Sequence, residues 1–152
     1  MIFAVLDANV LASGLISETR AESTPGELLR RWRARQFTLV VSDPILTELE
    51  RTLTNPYFSS RFSPAAVAEI VSRISTEAQI QSSTVQVAGV ATHLEDDAIL
   101  ATALSARSPY LVTGDRQLQQ LSAFGGTHLL SPRQFLELLD RERAPIRGGG
   151  AA

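Results

Sequence analysis

The chain has 152 residues, 44 % of them hydrophobic and 20 % charged, a balance that fits one compact domain and excludes a disordered or membrane-spanning chain. Cys is absent, which removes disulfides and thiolate metal sites. The net charge is −2 and all 14 basic residues are Arg, so there is no broad electrostatic case for nucleic-acid binding, and no mechanism that requires a Lys can operate.

Ile2–Leu6 is a continuous apolar run with Ile and Val, which predicts a strand buried on both faces. The run has no basic residues ahead of it and Asp7 interrupts it, so it reads as a strand followed by a short helix, not as a signal peptide, and a cytoplasmic location is expected. After a polar break at Ser17–Pro25, Gly26–Arg35 reads as a helix with Leu28, Leu29 and Trp32 on one side. Phe37–Val41 is a second apolar strand. Ser42 or Asp43 is placed to cap the next helix, Pro44 fits its first turn, and Asn55-Pro56 ends it. Pro64–Glu77 is an amphipathic helix. Gln79–Val87 alternates enough to predict a third strand near an edge. Glu95–Ala106 has helix composition, Tyr110–Val112 is a short strand, and a short helix is expected to start at Asp115. Thr127–Leu130 is a last strand, and Ser131-Pro132 starts a final helix that presents Phe135, Leu136 and Leu139. Residues 1–143 are expected to form one domain, and 144–152, rich in Gly and Ala, a disordered tail.

Strands alternating with helices predict a parallel sheet covered on both faces, where ligands bind at the carboxyl ends of the strands. Asp7 directly follows the first strand, and Asp115 lies just beyond the Tyr110–Val112 strand. Glu48 falls about one turn into the helix after strand two, and Asp96 in the first turn of the helix before strand four. Four carboxylates at one sheet edge repel one another unless cations neutralise them. With only oxygen ligands on offer, the expected ion is Mg²⁺ or Mn²⁺, able to activate water and steady an oxyanion on a phosphodiester. Simpler roles compete for three of the acids. Asp96, like Asp97, suits the positive end of a helix, Glu48 suits a solvated face, and Asp115 suits a turn or cap. Asp7, at the end of a buried strand, has no such easy alternative.

Leu6-Asp7-Ala8-Asn9-Val10, the Ser42–Leu49 segment, Asp96–Leu104 and Val112-Thr113-Gly114-Asp115 resemble, in order and spacing, the motifs of the PIN domain, over about residues 1–140. The branch they are most similar to is a bacterial group of toxins from toxin–antitoxin systems. The resemblance implies a three-layer α/β/α sandwich with a central parallel sheet and an Mg²⁺- or Mn²⁺-dependent ribonuclease. It maps the acidic quartet onto Asp7, Glu48, Asp96 and Asp115, with Asp97 a secondary candidate for the metal. Asn9 and Thr113 match polar positions that orient the carboxylates. It also implies an RNA substrate, self-association as a homodimer or higher oligomer, an antitoxin protein as partner, and no membrane association. Gln117 stands where many relatives carry a further acid, which favours the alternative of a PIN-like domain that binds a partner with weak or lost catalysis.

Other polar and aromatic residues read more plainly. His93 and His128 are expected to be a loop and a structural histidine, Trp32 a core aromatic, and Arg30–Arg35 a solvated helix face. Tyr57, Phe58 and Phe62 form either a partner patch or the packing of a helical hairpin. The Asp7-Ala8-Asn9-Val10 turn has no Gly, which excludes a dinucleotide or phosphate-cradling loop.

Overall fold

The N-terminal apolar run forms β1 (Phe3–Leu6), and Ala4, Val5 and Leu6 are buried, as expected of a strand with neighbours on both sides. The computed structural model describes residues 2–82, 87–89 and 94–143. The chain continues through α1 (Ala8–Ser17), α2 (Thr24–Arg33), β2 (Thr38–Val41), α3 (Asp43–Leu53), α4 (Pro56–Ser59), α5 (Pro64–Glu77) and β3 (Gln79–Ile80). It then forms α6 (Leu94–Ala106), β4 (Tyr110–Val112), α7 (Arg116–Gln119), β5 (Ala123–Phe124), β6 (Thr127–Leu130) and α8 (Pro132–Arg143).

The strands form one sheet in the order β3-β2-β1-β4-β6-β5, parallel throughout except for β5, which pairs antiparallel with β6. From β1 the chain first builds outward through β2 and β3. It then crosses back to lay β4 on the other side of β1. The direction of winding therefore reverses between β1 and β4, and in an open parallel sheet the carboxyl ends of the strands at such a reversal border a crevice. Leu6 is in register with Val112, so Asp7 and Thr113 emerge side by side at this point.

Helices cover the sheet in the expected three-layer arrangement. α6 packs on β1, β2 and β4, α8 on β6 and α2, and α3 on α1, α5 and α6. α6 carries buried residues on successive positions from Ile99 to Ala103, the pattern of a helix enclosed on most sides. Phe37 and Phe135 meet edge to face at 5.1 Å between centroids, a geometry worth about 0.5–1.5 kcal/mol beyond burial. Ser131 and Gln134 cap α8 reciprocally: Ser131 Oγ accepts from Gln134 N (3.1 Å) and Gln134 Oε1 from Ser131 N (2.8 Å).

Three expectations need correction. Among the described residues, the strand predicted over Gln79–Val87 is regular at Gln79–Ile80 alone, where it pairs with the end of β2, and Ile80 is exposed. Residues 83–86 of that prediction, like His93 and the predicted tail, lie outside the described residues. The sheet is not wholly parallel, because Gly125 and Gly126, both with positive φ (57° and 88°), make a two-residue turn that folds β5 back onto β6. Ser42 does precede α3, but its hydroxyl makes no cap hydrogen bond. A cap of this kind ordinarily stabilises a helix by about 1 kcal/mol; here the hydroxyl pairs with Thr102 instead.

Candidate active site

Asp7 is the residue at which β1 becomes α1. Its backbone N–H still donates to the strand ladder, at Val112 O (3.0 Å), while its Oδ1 accepts from Val10 N (2.8 Å) and so caps α1. Its Oδ2 accepts from Thr113 Oγ1 at 2.6 Å. The residue is 6 % exposed. Burial raises its carboxyl above the ordinary 3.8, and repulsion from Asp115 adds to this; the hydrogen bonds from Thr113 and from the Val10 and Asn9 backbone oppose it without winning.

Thr113 joins the two acids. Its backbone N–H donates to Leu130 O (3.0 Å), its hydroxyl donates to Asp7, and the same oxygen accepts from Asp115 N (3.0 Å). Its carbonyl accepts from Gln119 Nε2 at 2.6 Å, a contact with no sequence signal. Asp115 is half-buried, and its Oδ1 caps α7 through Gln117 N (2.8 Å) and Leu118 N (3.2 Å). The cap role weighed for Asp115 from sequence is therefore real, and it coexists with proximity to Asp7.

The other predicted residues are placed less closely. Glu48 is half-buried in α3, with Oε1 paired to Arg51 Nη1 at 2.9 Å. Asp96 is half-buried in the first turn of α6. Asp97, 4 % exposed, accepts from Gly89 N at 3.0 Å through Oδ2. Asn9 is exposed on α1. The structure thus brings Asp7, Thr113 and Asp115 together. Among the described residues it does not bring three His, Cys, Asp or Glu side chains close enough to hold a metal ion. The donor chemistry nevertheless suits a hard cation: two carboxylates side by side, one of them buried and held against its preference for the charged form.

Of the residues read as structural, Trp32 is buried as expected, whereas His128 is exposed and Arg31 is largely buried rather than on a solvated face. Trp32 is 8 % exposed. Arg30, Arg31 and Arg33 are tied to Glu27, Asp140 and Glu18. Phe58 is buried, while Tyr57 is exposed with Arg61 over its ring.

A mostly parallel sheet with Asp7 beside Asp115 at its winding reversal defines the molecule as an α/β domain with an acidic pair at that reversal. The chain belongs to the PIN domain family, whose model matches residues 4–117. Its fold is similar to VapBC2 from Rickettsia felis, in a crystal structure bound to a DNA fragment from their promoter (TM-score 0.57, 13 % identity, 86 % of this chain and 98 % of that one). It is also similar to DNA-bound VapBC from Salmonella typhimurium (0.56, 16 %, 87 % and 99 %). A third similar structure is PAE2754 from Pyrobaculum aerophilum (0.50, 14 %, 92 % and 90 %). No curated protein matches the chain. Among the described residues no helix is long and apolar enough to cross a membrane.

Proposed function

We propose that the chain is a metal-dependent endoribonuclease that hydrolyses RNA phosphodiester bonds and serves as the toxin of a toxin–antitoxin pair. The observation that carries this reading is the buried Asp7 carboxylate, bonded to Thr113 and beside Asp115 at the reversal of a PIN-domain sheet. Asp7, Glu48, Asp96 and Asp115 would hold Mg²⁺ or Mn²⁺, which when bound supplies charge neutralisation and Lewis acidity at a phosphodiester. Asp96 is preferred to Asp97 by register, since it lies three residues before Ile99, where the family pattern places the acid. The Arg51 pair does not lock Glu48 in place: with Arg51 66 % exposed, such an i,i+3 pair is worth only about 0.3–0.5 kcal/mol.

The chain's own residues do the orienting. Thr113 turns Asp7 with one hydrogen bond and anchors the Asp115 backbone with another, so both carboxylates keep their directions without help from a ligand. Hydrolysis by water leaves 3′-hydroxyl and 5′-phosphate ends, since the RNA 2′-hydroxyl takes no part. The antitoxin partner rests on the fold shared with the VapBC structures.

The test is incubation of the purified chain with mixed RNAs, with and without Mn²⁺, beside Asp7→Asn. We expect Mn²⁺-dependent cleavage that Asp7→Asn abolishes. A cyclic-phosphate product or full activity in Asp7→Asn overturns the mechanism. A second reading, a partner-binding domain with weak or lost catalysis, is favoured by Gln117, by the Glu48–Arg51 pair and by the open spacing of the acids. It predicts no Mn²⁺ binding in calorimetry.

A further inference from the structure

Ser42 and Thr102 are 1 % and 0 % exposed, and their hydroxyl oxygens lie 2.7 Å apart. Thr102 gives its one hydroxyl proton to Ala98 O (3.0 Å), so across the pair Ser42 is the donor. A short chain of hydrogen bonds therefore runs from the junction of β2 and α3, through Thr102, to the carbonyl of Ala98. That carbonyl belongs to the residue next to Asp97, one turn into α6. Glu48 lies farther along α3 from Ser42. Asp96 lies in the turn of α6 that Thr102 reaches back to.

Serine at the position before a helix ordinarily turns its hydroxyl to the free amides of the first turn. Ser42 forgoes that cap and spans to another helix. α3 packs on α6, and Ile45, Leu49 and Ile99 on these helices belong to the buried apolar core, where dispersion has little directionality and resists sliding and rotation weakly. A hydrogen bond between two buried hydroxyls is directional and allows one register.

We propose that Ser42 and Thr102 are positioning residues that set α3 against α6 and thereby the separation of Glu48 from Asp96. This rests on the reading of those acids as a cation site. The pair does not touch the cation or substrate; it ties together the two helices that bear Glu48 and Asp96.

The experiment titrates Mn²⁺ into the full apo chain by calorimetry, alongside its melting temperature, for wild type, Ser42→Ala, Thr102→Val, the double variant and Thr102→Ser. Ile74→Val in α5 is the control for a small, general loss of stability. We expect Ser42→Ala and Thr102→Val each to weaken Mn²⁺ binding about tenfold or more, the usual cost of losing a group that orients ligands. The double variant is expected to be little worse than either single one, because the two act as a unit. Thr102→Ser, which keeps the hydroxyl, is expected to retain affinity, as is Ile74→Val. Unchanged affinity in folded Ser42→Ala and Thr102→Val overturns the proposal, and so does equal weakening in Ile74→Val at a matched loss of melting temperature. Thr102→Val preserves side-chain volume and decides the matter if Ser42→Ala does not fold. Absence of Mn²⁺ binding in wild type is a different result: it removes the cation reading itself, and the proposal with it.

Discussion

Asp7 accepts hydrogen bonds on both carboxyl oxygens and still has its proton held more tightly than an ordinary aspartate, because burial outweighs them and Asp115 adds repulsion. The native state therefore binds more protons than the unfolded state in the interval between the ordinary value of 3.8 and the raised one. Stability falls as pH rises through that interval and stays at the lower level above it. Replacing the carboxylate by an amide removes this cost and keeps an oxygen for the Val10 amide, since Asn caps helices as well as Asp does, while its Nδ2 meets Thr113 Oγ1 as a donor where Oδ2 was an acceptor. Metal-free Asp7→Asn is thus expected to melt at or above the wild-type temperature at pH 7, with the difference closing toward pH 4. A clearly lower melting temperature at pH 7 would mean that the carboxylate is a net stabiliser. Asp7 and Asp115 were legible in sequence because each follows a strand at the point where the apolar pattern breaks. The partners of Glu48 and Asp97 were not, because the Arg51 pair and the Gly89 contact depend on side-chain and loop placement that periodicity does not encode.

At the level of elements, α1 and α2 approach through glycines. A Cβ on Gly26 would press on the Ser17 carbonyl oxygen and stand 2.9 Å from its carbon and 3.2 Å from Glu18 Cα. These are backbone atoms that cannot rotate away. Gly to Ala within a helix ordinarily gains about 1 kcal/mol, whereas forcing an atom into a closed contact costs about 1–3 kcal/mol. Gly26→Ala is expected to destabilise the domain by about 1–2 kcal/mol, read as a lower urea midpoint with an unchanged slope; a raised midpoint would show that the helices separate freely. The bounds of α5 and β4 were readable to the residue, because Ser63-Pro64 is a strong helix start and Tyr110–Val112 sits between polar breaks. The β5–β6 hairpin carried its signal in Gly125-Gly126, but β5 is two residues long, too short to show alternation. α4, with four residues, is likewise too short for a helical period, and only its Asn55-Pro56 cap marks it.

For the molecule as a whole, the sheet order could not be read from composition. Parallel strands were predicted, but the placement of β4 beside β1, which sets Asp115 next to Asp7, is a matter of topology. If four carboxylates hold a cation in the native state only, the cation stabilises that state by mass action, by about 2.7 kcal/mol at a hundredfold excess over its dissociation constant. Millimolar Mn²⁺ is therefore expected to raise the wild-type melting temperature and to leave that of Asp7→Asn unchanged. An equal rise in both would place the ion elsewhere.

The amides of Asp7 and Thr113 donate to Val112 and Leu130, so the two residues at the winding reversal are the last rungs of the strand ladder. Backbone of this kind exposes itself to solvent only when the centre of the sheet comes apart, while helices as short as α4 and α7 fray on their own. The Asp7 and Thr113 amides are therefore expected to be among the slowest in the domain to exchange with solvent. On the proposed cation reading, a ligand arriving there would meet a surface already assembled, and the ordering left to do would fall on the carboxylates borne by α3 and α6.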